Sequence, residues 1–268
     1  MKEWEETIVR KSDNKWFLSK IKQAVRRYRL LEPGDRVAVG LSGGKDSVFL
    51  LHVLLFLRQT SYPDLQLFPV HVDLGWEEDI GPLEDYCREH GVPLTREKTA
   101  IGDIVFKVRE EPNPCALCAH LRRGALNNVA LALGCTKVAL GHHADDVLAT
   151  FFLNLIYTGC LDTFLPRTQL SRSGLTVIRP LVYIPEQTIR SVAAREGLPV
   201  VKSGCPAAGR TKRAEMRDLV RELTGRYPDL YRRFLTAWES PGGLSTWGPL
   251  VRPADGKKNR QNQVGEGE

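Results

Sequence analysis

The chain has 268 residues, 42% of them hydrophobic, and a formal net charge of +6. That composition can bury a sizeable core, as one large domain or one domain with a small appendage. It excludes a membrane helix, since no run approaches the roughly 18 uninterrupted apolar residues required, and the opening MKEWEETIVRK has no signal-peptide centre, so the expected location is the cytoplasm.

Trp16, Phe17, Ile21, Ala24, Val25 and Tyr28 fall at helical spacing and predict an opening helix over 14–31, stopped by the EPGD at 32–35. RVAVGL at 36–41 is a strand-length apolar run that breaks into the polar turn SGGKDS, followed by a helix to Arg58. A second strand runs over 65–72 and ends at Asp73, a helix spans 81–90, and a further apolar stretch begins at Val92. After PNP at 112–114 a helix starts at Cys115 and is closed by Gly134. KVAL at 137–140 is another strand, turning through GHHADD into a helix, and 177–181 reads as a further strand. Pro185 and Gly197 bracket the next helix in the usual Pro-first, Gly-last order. This alternation predicts an α/β fold, a doubly wound, mostly parallel sheet covered on both faces. In such folds ligands sit beyond the carboxyl ends of the strands. The turns at 42–47, 71–75 and 141–146 all lie there.

Charge is uneven. Nine Lys/Arg face four Asp/Glu over 2–29, and eight face four over 207–233, around a near-neutral centre. Such basic flanks suit a polyphosphate partner, although a solvated helix face explains each of them equally well in isolation.

Ser42, Gly43, Gly44, Lys45, Asp46 and Ser47 follow a strand and open a helix. Paired glycines let successive N–H groups point at one anion, the helix N-terminus reinforces them, and the hydroxyls and Lys45 add donors. The spacing GxxxxGK[ST] of γ-phosphate-cleaving enzymes is absent. Asp46 beside a phosphate site calls for a cation, with Mg²⁺ the natural one. Cys115 and Cys118 form a CxxC that two sulfurs can use from a helix's first turn, and Cys205 follows 87 positions later. Six cysteines in a chain expected to be cytoplasmic are no disulfide framework. Three thiolates suit a [4Fe-4S] cluster with one iron left open. A zinc site completed by a residue such as His120, or a redox-active CxxC, stays open at this point. Cys87, Cys135 and Cys160 read as small buried hydrophobes.

SGGKDS resembles the signature loop of the PP-loop ATP pyrophosphatases, which cleave ATP between its α and β phosphates. GHHADD resembles the second signature of the tRNA-modifying members. PNPCALCAHLRRGAL, IRPLVYIPEQTIRSVAAREGLPV and GRTKRAEMRDLVRELTGRYPDLYRRF are similar to segments of the tRNA 2-thiocytidine synthetase family, so the likeness covers most of 32–238. The resemblance implies catalytic roles for Lys45, Asp46 and Asp146. It implies nucleotide or metal contacts for residues 42–47 and for Gly141, His142 and Asp145, with His71 and Asp73 in the adenine cradle. It also implies a cluster on Cys115, Cys118 and Cys205. The expected organisation is a basic helical segment at 1–33, the ATP domain at 34–206, basic helices at 207–248, and a disordered tail at 249–268.

The implied reaction is adenylation of a pyrimidine C2 oxygen of tRNA, with cytidine 32 the family expectation, followed by sulfur transfer and release of AMP and pyrophosphate. The implied partners are ATP, tRNA and a sulfur donor: a desulfurase persulfide, a carrier-protein thiocarboxylate or sulfide. A homodimer is also expected. Arg122 and Arg123 follow the CxxC on its helix and are candidates for tRNA phosphate. Two features depart from relatives of this kind. Many carry a second cysteine near the third one, where this chain reads CPAAG, and thiouridine synthetases carry flanking zinc-finger CxxC pairs that are absent here. Thiouridine synthesis, a lysidine synthetase-like ligase, small-molecule enzymes of the same fold and a non-enzymatic tRNA-binding module are the competing readings.

Overall fold

The computed structural model describes residues 14–109, 114–202, 204–207 and 211–240. The tail expected at 249–268 and most of the basic segment before residue 14 lie outside these. Contacts divide the chain into a unit from Met1 to Tyr231 and a second from Arg232 to Glu268. In the second, the rings of Phe234 and Trp238 stack at 5.4 Å.

The first unit is built on one six-stranded sheet in the order β3-β2-β1-β4-β6-β5. Its strands are β1 Arg36–Gly40, β2 Gln66–Asp73, β3 Thr95–Lys98, β4 Lys137–Ala139, β5 Arg167–Gln169 and β6 Thr176–Ile178. All pairings are parallel except β5 on β6. The helices are α1 Ser19–Arg27, preceded by a π turn at Asn14–Leu18, α2 Lys45–Thr60, α3 Gly81–Glu89, α4 Pro114–Ala132, α5 Ala144–Thr158, α6 Glu186–Arg195, α7 Lys212–Arg226 and α8 Leu230–Glu239.

Side-chain alternation explains the two covered faces. Ala38, Val70 and Val138 point one way and pack under Leu126 and Ala130 of α4. Val37 and Val39 must point the other way, where α2 lies against β1 and β2 and α6 lies against α2. α2 is buried from Ser47 through Leu57, as its apolar residues on every side require. On its outer side Phe17 meets Phe49 at 5.4 Å, and α1 buries Ile21, Ala24 and Val25.

One expectation needs correction, and other elements lie beyond what the sequence pattern predicts. The opening α-helix stops at Arg27, because Arg29 takes a left-handed φ of 49° and turns Leu30 and Leu31 into the core outside the helix. The stretch from Val92 becomes a strand only at Thr95. β5 and the helical turns at Ile101–Asp103 and Ile104–Val108 were not anticipated. Among the described residues no helix is long and apolar enough to cross a membrane.

Candidate active site

β1 pairs with β2 on one side and β4 on the other, so chain direction across the sheet reverses between β1 and β4. The loops that follow these two strands therefore face each other across the crevice. They touch. A Cβ on Gly141 would lie 2.8 Å from the Asp46 carbonyl oxygen and 3.1 Å from the Ser47 nitrogen. Gly141 thus lets the second loop lie against the first, and its requirement for no side chain is steric.

In the first loop Gly43 adopts φ +79° and Gly44 caps α2. The hydroxyl of Ser47 donates to the Gly44 carbonyl at 2.8 Å, and both the N–H and the hydroxyl of Ser42 lie 3.2 Å from it. Lys45 Nζ lies 3.0 Å from Asp46 Oδ1 and 2.8 Å from Glu186 Oε1. Glu186, the first residue of α6, was not singled out from sequence. Burial works to raise its carboxyl, but Lys45 and Arg190 outweigh that and hold it at about 2. Asp46 Oδ1 is buried and, despite its closeness to Lys45, accepts no well-directed hydrogen bond.

The second loop gathers more charge. The Asp146 Oδ2 accepts the N–H of His143 at 3.2 Å. Its Oδ1 accepts Nε and a terminal nitrogen of Arg217 at 3.2 and 2.6 Å. Burial opposes ionisation, yet His143, Arg217 and His142 together bring this carboxyl down to about 2. Arg217 comes from α7 and was also missed; only folding reveals it. Asp145 Oδ2 accepts the N–H of Glu186 at 2.7 Å and so fixes the start of α6. His143, buried among Asp46, Asp145 and Asp146 at 3.5–3.6 Å, overcomes its burial and has its pKa raised by them. His142 beside it is pushed down to about 3, chiefly by burial.

His71 is buried, with Nδ1 2.9 Å from the Leu41 carbonyl at the entrance of the first loop. Asp73 accepts the Gly75 N–H at 2.8 Å and pairs with Arg96. Both steady strand ends; neither has a partner in the charged crevice.

Cys118 sits in an apolar nest of Leu74, Ile101 and Val105, with Trp76 and Leu121 against it. Burial raises its thiol; Arg122 opposes this, while Cys205 and Cys115 add to it, so the three sulfurs feel one another. Cys205 is brought here by its approach path. The Val201 N–H donates to the Gly43 carbonyl at 2.9 Å, and the Gly204 N–H donates to Glu78 Oε1 at 2.9 Å. The chain that leads to the third cysteine is therefore hydrogen-bonded to the phosphate loop at Val201. Of the remaining cysteines Cys87 and Cys135 are buried as expected, whereas Cys160 is exposed, a correction that follows from its place just past the end of α5.

The geometry fits the groups that the sequence implied. Three cysteines converge here, Cys118 buried in the apolar nest, Cys205 half-buried and Cys115 exposed, and their thiolates would repel one another unless a cationic centre relieved them. Among the described residues no three His, Cys, Asp or Glu side chains converge to hold a single metal ion. A cluster does not require that, since each thiolate takes its own iron. Mg²⁺ does not require it either, because it is usually held by one or two carboxylates together with substrate phosphates.

Comparison with known proteins agrees. The PP-loop domain family matches residues 14–223. A tRNA-cytidine(32) 2-sulfurtransferase of Syntrophotalea carbinolica is 41% identical over 214 residues, 78% of this chain and 82% of that one. Its counterpart in Geobacter sulfurreducens is 40% identical over 228 residues, 81% of this chain and 88% of that one. The chain belongs to this PP-loop sulfurtransferase family. Among solved structures, the U34-tRNA thiolase NcsA of Methanococcus maripaludis, with its [4Fe-4S] cluster, aligns at a TM-score of 0.71 and 27% identity. The alignment covers 84% of this chain and 78% of that one. The mostly parallel α/β PP-loop fold of this chain matches the fold of that thiolase.

Proposed function

We propose that this protein is an ATP-dependent tRNA sulfurtransferase that converts cytidine 32 to 2-thiocytidine, releasing AMP and pyrophosphate. The observation that carries it is the tether. Val201 is hydrogen-bonded to Gly43, so the segment bearing Cys205 and the loop built for pyrophosphate form one strand-end surface.

In this reading the C2 oxygen of the cytosine attacks the α-phosphorus of ATP and the bond to the β-phosphate bridging oxygen breaks. The N–H groups and hydroxyls of residues 42–47 and the Lys45 ammonium receive the charge that builds on pyrophosphate. Glu186 and Asp46 hold that ammonium in place, and Arg217 with His143 holds Asp146 ionised beside it. Asp46 and Asp146 are the residues that would hold Mg²⁺, which offsets phosphate charge. Sulfur then adds at C2 and AMP departs with the former carbonyl oxygen. Cys115, Cys118 and Cys205 would hold a [4Fe-4S] cluster, whose chemistry is to present sulfur at its open iron. The same reading places the enzyme in the cytoplasm as a homodimer, with a persulfide, a thiocarboxylate or sulfide as the donor.

Chromatographic and mass analysis of tRNA nucleosides tests it. Cells lacking the protein should lose 2-thiocytidine, regain it with the wild-type chain and fail to regain it with Cys118→Ala. An unchanged thionucleoside profile would reject the reading, and loss of a 2-thiouridine instead would move the substrate to another base.

A further inference from the structure

A second cationic site borders the crevice, and three of its four guanidiniums have no part in the ATP chemistry. Four guanidiniums reach it from three parts of the chain: Arg123 from α4, Arg179 just after β6, and Arg213 with Arg217 from successive turns of α7. Arg179 is within electrostatic range of Arg123 and of His142, and Arg213 is within range of Arg123, Arg217 and Asp146. The nearby carboxylate, Asp146, is already taken by the forked contact from Arg217. Three positive charges are left over.

The cluster is also incompletely bonded. One terminal nitrogen of Arg179 donates to the Leu165 carbonyl at 2.6 Å and to Thr168 Oγ1 at 3.3 Å, and its guanidinium lies 5.0 Å from the Phe164 ring. Its Nε is buried and donates to nothing. His142, whose ring lies 5.1 Å from the same Phe164, has a buried Nδ1 without a partner. Burial, with Arg123 adding to it, pushes the Arg179 guanidinium down to about 10. Buried polar groups left unpaired mark places where a ligand completes the set.

We propose that Arg123, Arg179 and Arg213 form an anion subsite, separate from the loop at 42–47, that grips a backbone phosphate of the RNA beside the nucleotide being modified. The inference rests on the tRNA reading above and names where that substrate is held. The phosphates of ATP already have a cradle with its own lysine, so a second anion must come from the other reactant. Arg123 and Arg213 are solvent-exposed, as contacts to a large polyanion require. Planar guanidiniums suit a phosphodiester because they can donate two parallel hydrogen bonds.

The test measures binding of unmodified tRNA transcript to the holoenzyme between about 50 and 200 mM salt, alongside ATP affinity by equilibrium dialysis. Both Arg123 and Arg213 tolerate truncation because they are exposed. The double variant R123A/R213A should bind tRNA about tenfold more weakly, with the log–log salt slope smaller by about 1 to 2. Its ATP affinity should stay within about twofold of wild type. R123K/R213K, which keeps both charges, should recover most of the slope. An unchanged tRNA slope in the alanine variant overturns the subsite while leaving the tRNA reading intact. Weakened ATP binding with unchanged tRNA binding assigns the anion to the nucleotide and also overturns it. A wild-type protein without salt-dependent tRNA affinity rejects the tRNA reading and the subsite with it.

Discussion

The two ends of the sheet treat charge in opposite ways. At the amino ends of the strands, buried Lys137 places Nζ 2.6 Å from Asp35 and 3.3 Å from Glu32. Arg36 gives hydrogen bonds to the carbonyls of Leu133 and Gly134 and covers the Phe68 ring. Those ion pairs are closed within the protein. At the carboxyl ends, Asp46 Oδ1, His142 Nδ1, both ring nitrogens of His143 and Arg179 Nε are buried with no hydrogen bond. The first end is finished by its own sequence; the second is finished by what binds there. Charge at the amino end should therefore be measurable as stability, and charge at the carboxyl end as activity.

The largest expected effect breaks the closed end. Asp35→Ala removes the nearer partner of the buried Lys137 ammonium and leaves it only the exposed Glu32 at 3.3 Å, so it should cost about 3 kcal/mol in urea unfolding, with kcat per folded molecule unchanged. Replacing both partners by apolar residues, Asp35→Leu with Lys137→Met, should recover most of that loss. A single variant within about 1 kcal/mol of wild type would erase the contrast between the ends.

Lys45→Met tests the open end. It removes the donor aimed at the departing pyrophosphate and should lower kcat by about 10²–10³-fold. Its pairs with Asp46 and Glu186 are partly exposed and screened, so stability should fall by only about 1 kcal/mol or less. Steady-state kinetics and urea unfolding on the same preparation separate the two quantities. A variant that unfolds by several kcal/mol would show that Lys45 serves the fold.

How much of this was legible in the sequence follows the same division. β1, β2 and β4 are short apolar runs that break into glycine-bearing or acidic turns, so the strands and the loops beyond them could be read locally. β5 could not, because Arg167, Thr168 and Gln169 form an antiparallel edge with no apolar face toward the core. Glu186 and Arg217 escaped for another reason. Each is an ordinary charged residue in a helix, and its role comes from contacts with Lys45, 141 positions earlier, and with Asp146, 71 positions earlier. The helix at 14–31 was overread because Leu30 and Leu31 continue an apolar pattern that the chain satisfies after a left-handed Arg29. Gly141 was legible as part of a motif, but only the approach of the Asp46 backbone gives the reason for a glycine.

A pH titration sharpens the comparison at a smaller scale. Asp146 has its pKa lowered from 3.8 to about 2 in the folded chain. Its contribution, about 2 kcal/mol, is complete above the unfolded value near 4 and disappears as pH falls toward 2. In EDTA, Asp146→Asn should therefore trail wild type by about that amount at pH 7, and the gap should close between about pH 4 and pH 2. A gap that stays constant through that window would mean that the carboxylate's charge contributes nothing to folding.

The smallest expected effect on rate belongs to a glycine. Gly43 and Gly91 both hold left-handed φ angles, +79° and +65°. Alanine at either should cost about 1–2 kcal/mol for that conformation. Only Gly43 has a neighbour in the way: its new Cβ would lie 3.0 Å from Val201 Cβ, whereas nothing lies within 4 Å at Gly91. Gly43→Ala must therefore push away the segment whose N–H it accepts and which leads to Cys205. Displacing a reacting group by a fraction of an ångström is enough to lower a rate, so thiolation should fall about tenfold in Gly43→Ala and remain near wild type in Gly91→Ala. Equal losses in the two variants would mean that backbone strain alone was felt. A loss confined to Gly43→Ala would show that the phosphate loop and the third cysteine act through one contact.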